Sequence, residues 1–393
     1  MILPRHGVKQ HVLYLSRQDN KKRNISAGQL SIGTNSESLL VTLILKYSLR
    51  SFETDSTVLK PTSWAKDTAP QLRYSHCFVP QKRREENFIM IIYKEFSSLL
   101  NDLEFSGKTL YSVSNHINRH YHPVRIPKSN GEFRELNVPD ALLMSIQRAI
   151  NNKLLCLEEI SSYAMAYRPG RSTKTNATPH VNKPTILKID IRHFFDHLIF
   201  PLIKEKVFPE TRYSEQNRIL LTFLCTYKDA LPQGAPTSPM ISNIIMKDFD
   251  NFIGSWCNER NISYTRYCDD MTFSGDFDPD SIIALVRKEL KKLGLYLNDK
   301  KTTIVRKGAR QSVTGIVVNK KLSIPADYKK HIRQEMHYCM KFGIADHLEK
   351  IGSTENKKTY VAKLLGRINY VLSVEPNNSE MQQYRKWLIK EKT

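Results

Sequence analysis

The sequence predicts an α+β fold built on an antiparallel sheet with helices packed on one face. Residues 185–195 and 262–275 have the alternating, β-branched and aromatic composition of strands. Residues 198–227 and 281–293 have the apolar spacing of amphipathic helices. Strand-like sequence follows again at 295–305, so the order corresponds to a βαββαβ unit, whose helices cover one face of the sheet.

The organised part of the chain begins near Phe88. One amphipathic helix is predicted from Phe88 through Leu100, and a second over residues 108–121. Residues 1–87 carry no helical period long enough to define a domain. We interpret them either as a flexible basic extension or as translation from an over-early start, with Met90 as the initiator. The intact mass of the natively expressed protein would decide between the two.

A basic hairpin and a capped helix come next. Residues 121–139 contain two alternating strands around Ser-Asn-Gly, a strong turn signal, and they carry Lys128 and Arg134. Asp140 is the predicted N-cap of a helix over residues 141–157. The hairpin is either a solvated surface ribbon or a clamp for a triphosphate, because arginine binds phosphate through two parallel hydrogen bonds.

Three aspartates interrupt strand-like sequence. Asp190 follows apolar strand residues, where an unpaired carboxylate is costly, so it needs a nearby cation or a place at the strand's exposed end. Asp269 and Asp270 occupy the predicted turn of the 262–275 hairpin. An isolated Asp-Asp pair is more often an ordinary polar turn, and Asp190 alone could be a salt-bridged structural residue. Gathered on the sheet face opposite the helices, the three would suit two-metal phosphoryl transfer, whose ions lie about 3.5–4 Å apart.

The remaining segments complete the prediction. Three prolines and a glycine make residues 231–239 a rigid turn, and a helix is predicted over 242–256. Residues 311–318 are a predicted strand. Residues 326–387 are predicted as three helices rich in Lys, Arg and Tyr. Basic residues interleaved with aromatics suit a nucleic-acid cradle, although a solvated helix face is the commoner meaning of such charge.

Composition narrows the class of partner. Sixty Lys and Arg against 39 Asp and Glu give a formal charge of +21, spread along the chain, which favours a polyanionic partner in a long channel. The six cysteines form no C-x-x-C pair, so neither a zinc ribbon nor a redox motif is supported. They are expected to be reduced core thiols of a cytoplasmic protein. Neither a membrane span nor a signal peptide is predicted.

The motifs, in this order, resemble the palm of reverse transcriptases. They are Asp190 with Phe194 and Phe195, Leu-Pro-Gln-Gly-Ala-Pro-Thr-Ser-Pro at 231–239, and Tyr-Cys-Asp-Asp at 267–270. Asn-Ala-Thr-Pro-His at 176–180 and Val-Thr-Gly at 313–315 resemble the NAxxH and VTG elements of bacterial retron reverse transcriptases. The resemblance covers roughly residues 90–375. Cys268 stands where retron enzymes usually carry alanine, and it is not expected to bind magnesium, which disfavours sulfur.

This resemblance implies a right-hand polymerase that copies RNA into DNA. Its implied parts are fingers at 88–185, a ferredoxin-like palm at 186–318 with a fingers insertion at about 201–231, and a helical RNA-binding thumb at 319–393. In retrons the template is a dedicated structured noncoding RNA, and synthesis starts from a 2′-hydroxyl of that RNA. The implied partners are this RNA, its branched DNA product, deoxynucleoside triphosphates and an effector protein of antiphage defence.

Individual roles follow from motif position. The residues implied to hold two Mg²⁺ ions are Asp190, Asp269, Asp270 and the carbonyl of Ile191. Lys301 is the implied proton donor to pyrophosphate, with Lys300 nearly as plausible. Phe195 would exclude a ribose 2′-hydroxyl, unless it is simply a core aromatic. The other implied nucleotide-binding residues are Lys128, Arg134, Gln233 and Gly234. Those implied to contact or position primer and template are Tyr267, Asn176, His180, Val313, Thr314 and Gly315.

Three alternatives stay open at this point. The chain could be a group II intron-like or other bacterial reverse transcriptase with a different template. It could be a catalytically inactive RNA-binding scaffold of the same shape. It could also be a metal-dependent nuclease, although that reading leaves Arg134 and Phe195 unexplained.

Overall fold

The computed structural model describes residues 92–127 and 131–392, and every structural statement below concerns these residues. The helices are α1 (Phe96–Leu103), α2 (Gly107–Asn115), α3 (Ala141–Ala149), α4 (Thr173–Ala177), α5 (Phe194–His197), α6 (Phe200–Val207), α7 (Glu215–Cys225), α8 (Ser238–Ile245), α9 (Lys247–Asn258), α10 (Pro279–Lys292), α11 (Ala326–Phe342), α12 (Ile344–Lys350), α13 (Lys357–Val374) and α14 (Ser379–Lys392). The strands are β1 (Tyr121–Pro127), β2 (Phe133–Pro139), β3 (Thr185–Arg192), β4 (Ser263–Tyr267), β5 (Asp270–Gly275), β6 (Tyr296–Leu297), β7 (Thr303–Arg306), β8 (Ser312–Val313) and β9 (Ile316–Val317). The predictions for residues 1–87, Met90 and Lys128 lie outside the described residues.

The central sheet has five antiparallel strands in the order β4-β5-β3-β6, and β7 pairs with the same edge of β3 as β6 does. Strand β3 therefore lies inside the sheet, flanked by the β4–β5 hairpin on one side and by the two short strands on the other. This is the strand order of a βαββαβ unit, and the α+β prediction is confirmed.

The strand register gives the sheet one apolar and one polar face. Leu187 and Ile189 of β3 lie opposite Phe273 and Met271 of β5, and these four side chains belong to the core formed with α8, α9 and α10. The alternate positions pair Ile186 with Ser274 and Lys188 with Thr272, and they end where Asp190 lies opposite Asp270. Because successive side chains of a strand point to opposite faces, the carboxylates lie on the face away from those helices, as predicted.

One predicted strand ends earlier than expected, and another is interrupted. Strand β3 stops at Arg192, because His193 has a φ of 47° and Phe194 and Phe195 continue as the short helix α5. Residues 295–305 form β6 and β7 separated by a 3₁₀ turn at Asp299–Lys301, instead of one strand. This interruption brings the 298–301 segment to the end of β3, where it meets Asp190.

Other boundaries also differ. The helix predicted over 242–256 is two helices, α8 and α9, which begin at Ser238 and break at Met246. Residues 311–318 form a tight β8–β9 hairpin, since Thr314 and Gly315 have φ values of 45° and 82°, which suit a two-residue hairpin turn. The tail contains four helices where three were predicted.

Near the start of the described chain, the β1–β2 hairpin is confirmed, with Tyr121 paired to Pro139. Asp140 caps α3 by accepting a hydrogen bond from the Leu143 amide at 2.9 Å, and the helical path then continues through π and 3₁₀ turns to Leu157. Helix α1 begins at Phe96, so Ile92, which the prediction included, precedes it.

A second core joins the tail helices to the rest of the chain. Apolar side chains of α11, α12, α13 and α14 pack with Val313 and Ile316 of the β8–β9 hairpin and with Ile186 of β3. Ile186 lies on the same face of β3 as Asp190, at the opposite end of the strand. The polar face of the central sheet is thus covered at one end and open at the other. No helix in the described ranges is long and apolar enough to cross a membrane.

Candidate active site

An open cleft of about 940 Å³ lies at the uncovered end of the polar sheet face. It is lined by the end of β3, helix α5, the β4–β5 turn and the 297–301 segment. The residues implied by the sequence resemblance that reach this cleft are Asp190, Ile191, Asp269, Asp270, Lys300, Lys301, Arg134, Phe195, Gln233 and Tyr267. The fold therefore brings together residues that are more than 100 positions apart in the sequence.

Asp190 is fixed by the segment that interrupts the predicted 295–305 strand. The residue is only 6% exposed. The Asn298 side-chain amide donates to Asp190 Oδ1 at 3.0 Å, and the Lys301 ammonium contacts Oδ2 at 2.8 Å. The backbone amide of Asn298 also donates to the Asp190 carbonyl at 2.8 Å. Asp190 thus has both features that the sequence required, a compensating cation and a place near the end of the strand.

Asp269 and Asp270 are presented by a tight turn. Cys268 has a φ of 61°, a left-handed conformation that turns the chain between Tyr267 and Asp270, which pair across the hairpin. The carbonyl of Asp269 accepts a hydrogen bond from the Ile191 amide at 3.1 Å, and this bond holds the turn against β3. The turn that was ambiguous in isolation is therefore one wall of the cleft.

Around the Asp269–Asp270 pair, burial and neighbouring negative charge outweigh the nearby lysines. Partial removal from water, followed by the charges of Asp269 and Asp190, raises the pKa of Asp270 to about 6. Burial and then the charge of Asp190 also raise the pKa of Asp269 above its usual range. Neighbouring carboxylates destabilise one another's ionised forms, and a cation among them would reverse these shifts.

The donor set matches magnesium chemistry. Carboxylate and carbonyl oxygens are the ligands that Mg²⁺ prefers, and the ion retains waters and substrate oxygens, so it needs few protein ligands. In the described part of the chain, no three His, Cys, Asp or Glu side chains already converge as a complete metal cage. One oxygen of Asp190 instead contacts the Lys301 ammonium. These residues would suit a metal ion whose coordination is completed by water and substrate oxygens.

The two candidate lysines differ in their contacts. The hydrogen bond to Asp190 raises the pKa of Lys301, which favours its ammonium form. Its side chain is nevertheless 63% exposed to the cleft. Lys300 also lines the cleft, but Asp190 bonds to its neighbour.

Several residues that the resemblance implies for nucleotide binding lie between α5 and the 231–239 turn. Phe195 and Gln233 line the main cleft and also a smaller cavity of about 290 Å³, to which Gly234 contributes. Gly234 has a φ of 121°, and a Cβ atom there would lie 2.9 Å from the Asn137 carbonyl oxygen, so only glycine is accommodated. The Asn137 amide also donates to the Gln233 carbonyl at 2.8 Å. Strand β2, which carries Arg134, is thereby joined to the turn.

The NAxxH and VTG elements meet inside the protein. Asn176 is 1% exposed, and its side-chain amide lies 3.3 Å from the Thr314 hydroxyl. His180 is fully buried between the hydroxyls of Thr265 and Ser274, at 2.8 and 2.7 Å. Burial lowers the pKa of His180 to about 3, so its ring is neutral at pH 7. Asn176, His180 and Val313 are all buried, and their role in positioning primer and template stays a prediction. These buried side chains lie beneath the surface that the two elements share. Within the Val-Thr-Gly element, Gly315 is the exposed residue.

Sequence reasoning missed two residues, Asn298 and Arg266. Asn298 holds Asp190 from two directions, and nothing in the sequence distinguished it from a surface asparagine. Arg266 is fully buried on the helix-covered face and contacts Asp250 and the carbonyl of Cys268. A signal for Arg266 was available, because strict alternation in residues 262–267 places this arginine beside Tyr264 on the apolar face.

Comparisons with known proteins agree with this geometry. Residues 126–338, more than half of the chain, match the family described as reverse transcriptase (RNA-dependent DNA polymerase). A solved telomerase from Candida albicans aligns with a TM-score of 0.39 at 15% identity, covering 69% of this chain and 63% of that one, which is too distant to support an argument.

Several relatives with named activities are more similar in sequence than this telomerase. The Retron Ec86 reverse transcriptase of Escherichia coli is 32% identical over 253 residues, which are 59% of this chain and 77% of the relative. The Retron Ec83 reverse transcriptase of Escherichia coli is 30% identical over 275 residues, 65% of this chain and 84% of the relative. The Retron Mx65 reverse transcriptase of Myxococcus xanthus is 29% identical over 67% of this chain, which spans 63% of that relative's length. The chain therefore belongs to the reverse transcriptase family, among its bacterial retron-type members.

Proposed function

We propose that this chain is an RNA-directed DNA polymerase that extends a nucleic-acid primer by two-Mg²⁺ phosphoryl transfer. The observation that carries the proposal is the meeting of Asp190, Asp269 and Asp270 at one end of a large open cleft whose other walls carry Arg134 and Phe195. A phosphoryl-transfer site needs metal ligands, a cation for the triphosphate and a surface for the sugar, and this cleft carries candidates for all three.

Asp190, Asp269, Asp270 and the Ile191 carbonyl would hold the two ions. Bound magnesium lowers the pKa of the attacking hydroxyl and stabilises charge on the reacting phosphate. The chain's own residues position these groups. Asn298 fixes Asp190, and the left-handed turn at Cys268 presents the aspartate pair. Lys301 is the proposed proton donor to departing pyrophosphate, because its exposed ammonium already lies in the cleft.

In this proposal, residues on the other walls of the cleft select the substrate. Arg134 would hold the triphosphate, and Gln233 with Gly234 would line the pocket of the incoming nucleotide. Phe195 would pack under the sugar and exclude a 2′-hydroxyl. If so, Phe195→Ala should incorporate ribonucleotides, because the obstructing ring is gone, while Phe194→Ala, which removes a core ring, should affect stability instead. Competitive incorporation of ribonucleotides and deoxynucleotides measures this, and unchanged sugar selectivity in Phe195→Ala would remove it from the role.

We infer further that the template is a cognate structured noncoding RNA. Support comes from the resemblance of the NAxxH and VTG elements and from the relatives' names. In this proposal synthesis starts from a 2′-hydroxyl of the RNA, gives a branched RNA–DNA molecule and serves antiphage defence with an effector protein. The proposed division of labour is fingers at 88–185, palm at 186–318 and a helical RNA-binding thumb at 319–393. A cytoplasmic location remains part of the proposal.

The deciding experiment expresses the chain together with its upstream genomic flank and analyses nucleic acid for a short DNA joined to RNA. We expect this product, and we expect Asp269→Asn with Asp270→Asn to abolish it while RNA still co-purifies. Efficient synthesis on any added primer–template would favour the alternative of a group II intron-like or other bacterial reverse transcriptase. RNA binding without DNA synthesis by the unaltered chain would favour the inactive scaffold, and RNA or DNA cleavage without synthesis would favour the nuclease.

A further inference from the structure

We propose that Arg266 is a positioning residue for the Asp269–Asp270 turn, and that it acts by tying this turn to helices α8 and α9 behind the sheet. The inference rests on the proposed polymerase function, since it assigns a role in that same site. Arg266 touches neither the cleft nor any group that would react. Its side chain lies on the helix-covered face of β4, directly behind the turn.

The first part of the argument is the pairing of Arg266 with Asp250 of α9. Both side chains are completely buried. Arg266 Nε lies 2.9 and 3.0 Å from the two Asp250 oxygens, and Nη2 lies 2.6 Å from Oδ2. The Tyr264 hydroxyl donates to Asp250 Oδ1 at 2.8 Å. The carboxylate is thus satisfied from two positions of β4, and α9 is fixed against this strand.

The second part of the argument concerns the other N–H groups of the Arg266 guanidinium. Nη1 donates to the Cys268 carbonyl at 2.9 Å, and Nη2 donates to Asn243 Oδ1 of α8 at 3.1 Å. The Asn243 amide in turn donates to the Ala166 carbonyl at 3.0 Å. A planar guanidinium with five donors in a fixed fork holds these acceptors at defined directions, which a flexible lysine ammonium cannot do.

The bonded carbonyl lies at a sensitive point. It belongs to the residue immediately before Asp269, and that residue adopts a left-handed backbone conformation that side-chain-bearing residues rarely adopt. Strained backbone of this kind persists only where its surroundings impose it. The Ile191 amide restrains the turn from the cleft side, through the Asp269 carbonyl, and Arg266 restrains it from the core side.

A purely stabilising role explains the arrangement less well. A buried ion pair is weak support for stability, because burying both charges offsets most of their attraction and apolar residues of similar volume often do as well. Positioning requires what is observed, namely one rigid group that contacts β4, α8, α9 and the turn together. The aspartate pair would then keep its placement relative to Asp190 without any contact from the nucleotide side.

The test uses Arg266→Lys, which keeps a positive charge beside Asp250 but loses the fork. Arg218→Lys is the matched control, since Arg218 is 5% exposed, pairs with Glu215 and Glu205, and donates to the Phe208 carbonyl, all outside the cleft. We expect Arg266→Lys to lower kcat for single-nucleotide addition by about 10²-fold, because small misplacements of reacting groups have effects of that size. The KM for the nucleotide should stay within about twofold, and the control should retain its kcat.

A second readout is independent of activity. Cys268 is almost buried in the turn, and Cys225 and Cys257 are buried elsewhere in the same core. In Arg266→Lys, alkylation of Cys268, followed by peptide mass spectrometry, should accelerate roughly tenfold because the turn opens locally, while the two reference cysteines stay unchanged. If the unaltered chain synthesises DNA, the proposal requires both the selective labelling and the kcat effect, and either one without the other contradicts it.

The remaining outcomes are also decisive. Faster labelling of all three cysteines, or an equal loss of kcat in Arg218→Lys, would show a merely structural role and overturn the proposal. If Arg266→Lys is insoluble, Asn243→Ala takes its place, with a several-fold loss of kcat and faster Cys268 labelling expected. If the unaltered chain synthesises no DNA, the proposed function fails, and the labelling comparison then decides alone whether Arg266 holds the turn.

Discussion

On the helix-covered face of the central sheet, Arg266 and Asp250 are fully buried and hydrogen-bonded to each other. On the cleft face, Asp190, Asp269 and Asp270 lie together, and the Lys301 ammonium contacts Asp190. Both faces place charge next to the same β-hairpin. The covered face balances its charge and fixes geometry, whereas the cleft face keeps excess negative charge beside an open space. An imbalance next to solvent is what a site for metal-bound substrate requires.

The largest expected effect comes from removing one charge on the cleft face. Asp269→Asn should reduce nucleotide addition by at least about 10³-fold, because an amide cannot replace a carboxylate that shares magnesium. Primer-extension kinetics on the native RNA complex measure this. Asp248→Asn on the exposed surface of α9 removes the same charge outside the cleft and should leave the rate unchanged. Similar losses in both variants would mean that charge, not location, matters.

The two faces should differ in how much stability is lost when one member of an ion pair is removed. Asp250→Asn leaves Arg266 buried without its counter-charge, and we expect the free energy of unfolding to fall by about 3–5 kcal/mol. Lys301→Ala removes a well-exposed side chain and should change it by less than about 1 kcal/mol. Urea unfolding of the metal-free proteins gives both values. Equal destabilisation would end the distinction between a structural pair and a functional contact.

The two cleft lysines can be separated kinetically. Lys301→Ala should lower kcat by about 10²-fold through loss of a proton donor, whereas Lys300→Ala should have little effect. The rate should depend on pH differently in Lys301→Ala if the lysine transfers a proton. A larger defect in Lys300→Ala would transfer the role to that residue.

The smallest effect concerns pH. The folded-state pKa of Asp270 is raised to about 6, so the folded protein binds this proton more tightly than the unfolded chain does. The contribution of Asp270 to stability is therefore favourable at low pH and is lost as the pH rises from about 4 to about 6. The charged groups that act on the Asp270 carboxyl are Asp269, Asp190, Lys301 and Lys188.

Comparison with Asp270→Asn isolates the contribution of that residue. The Tm of the metal-free protein should fall over this pH interval more steeply than the Tm of Asp270→Asn. Magnesium should raise the Tm more at pH 7 than at pH 5. Parallel Tm curves for the two proteins would show that the carboxylates are not mutually destabilising.

How far the sequence could predict these features depends on the range of the interactions. The β4–β5 hairpin was predictable because alternation and turn chemistry are local, and Asp140 was predictable as a helix cap for the same reason. The break at 298–301 was missed, although Asn-Asp-Lys-Lys is poor strand sequence between two β-favouring stretches. The contact of this segment with the distant Asp190 could not be read from the sequence. The interpretation of residues 311–318 as one strand failed at Thr314, whose left-handed conformation its residue type does not suggest.

The candidate site shows the same division. The carboxylates, Phe195 and Gln233 were identified from ordered motifs, and the structure brings them to one cleft. The supporting residues were not identified, because their partners are far away in sequence. Asn298 lies 108 positions from Asp190. Asn176 and His180 were expected near the template, and their burial could not be inferred from a motif that gives residue types without exposures.

The double contact between Asn298 and Asp190 also bears on how faithfully the chain folds. A slip of one residue in the pairing of β3 would turn Asp190 toward the helices and bring an isoleucine into the cleft. Such a protein would keep its hydrogen-bonded sheet, but the cleft would lack the carboxylate of Asp190. Asn298 recognises both the carbonyl and the side chain of the same aspartate, and only the correct register offers them together. The two hydrogen bonds therefore stabilise the correct register of β3, at the position where a shifted register would abolish activity.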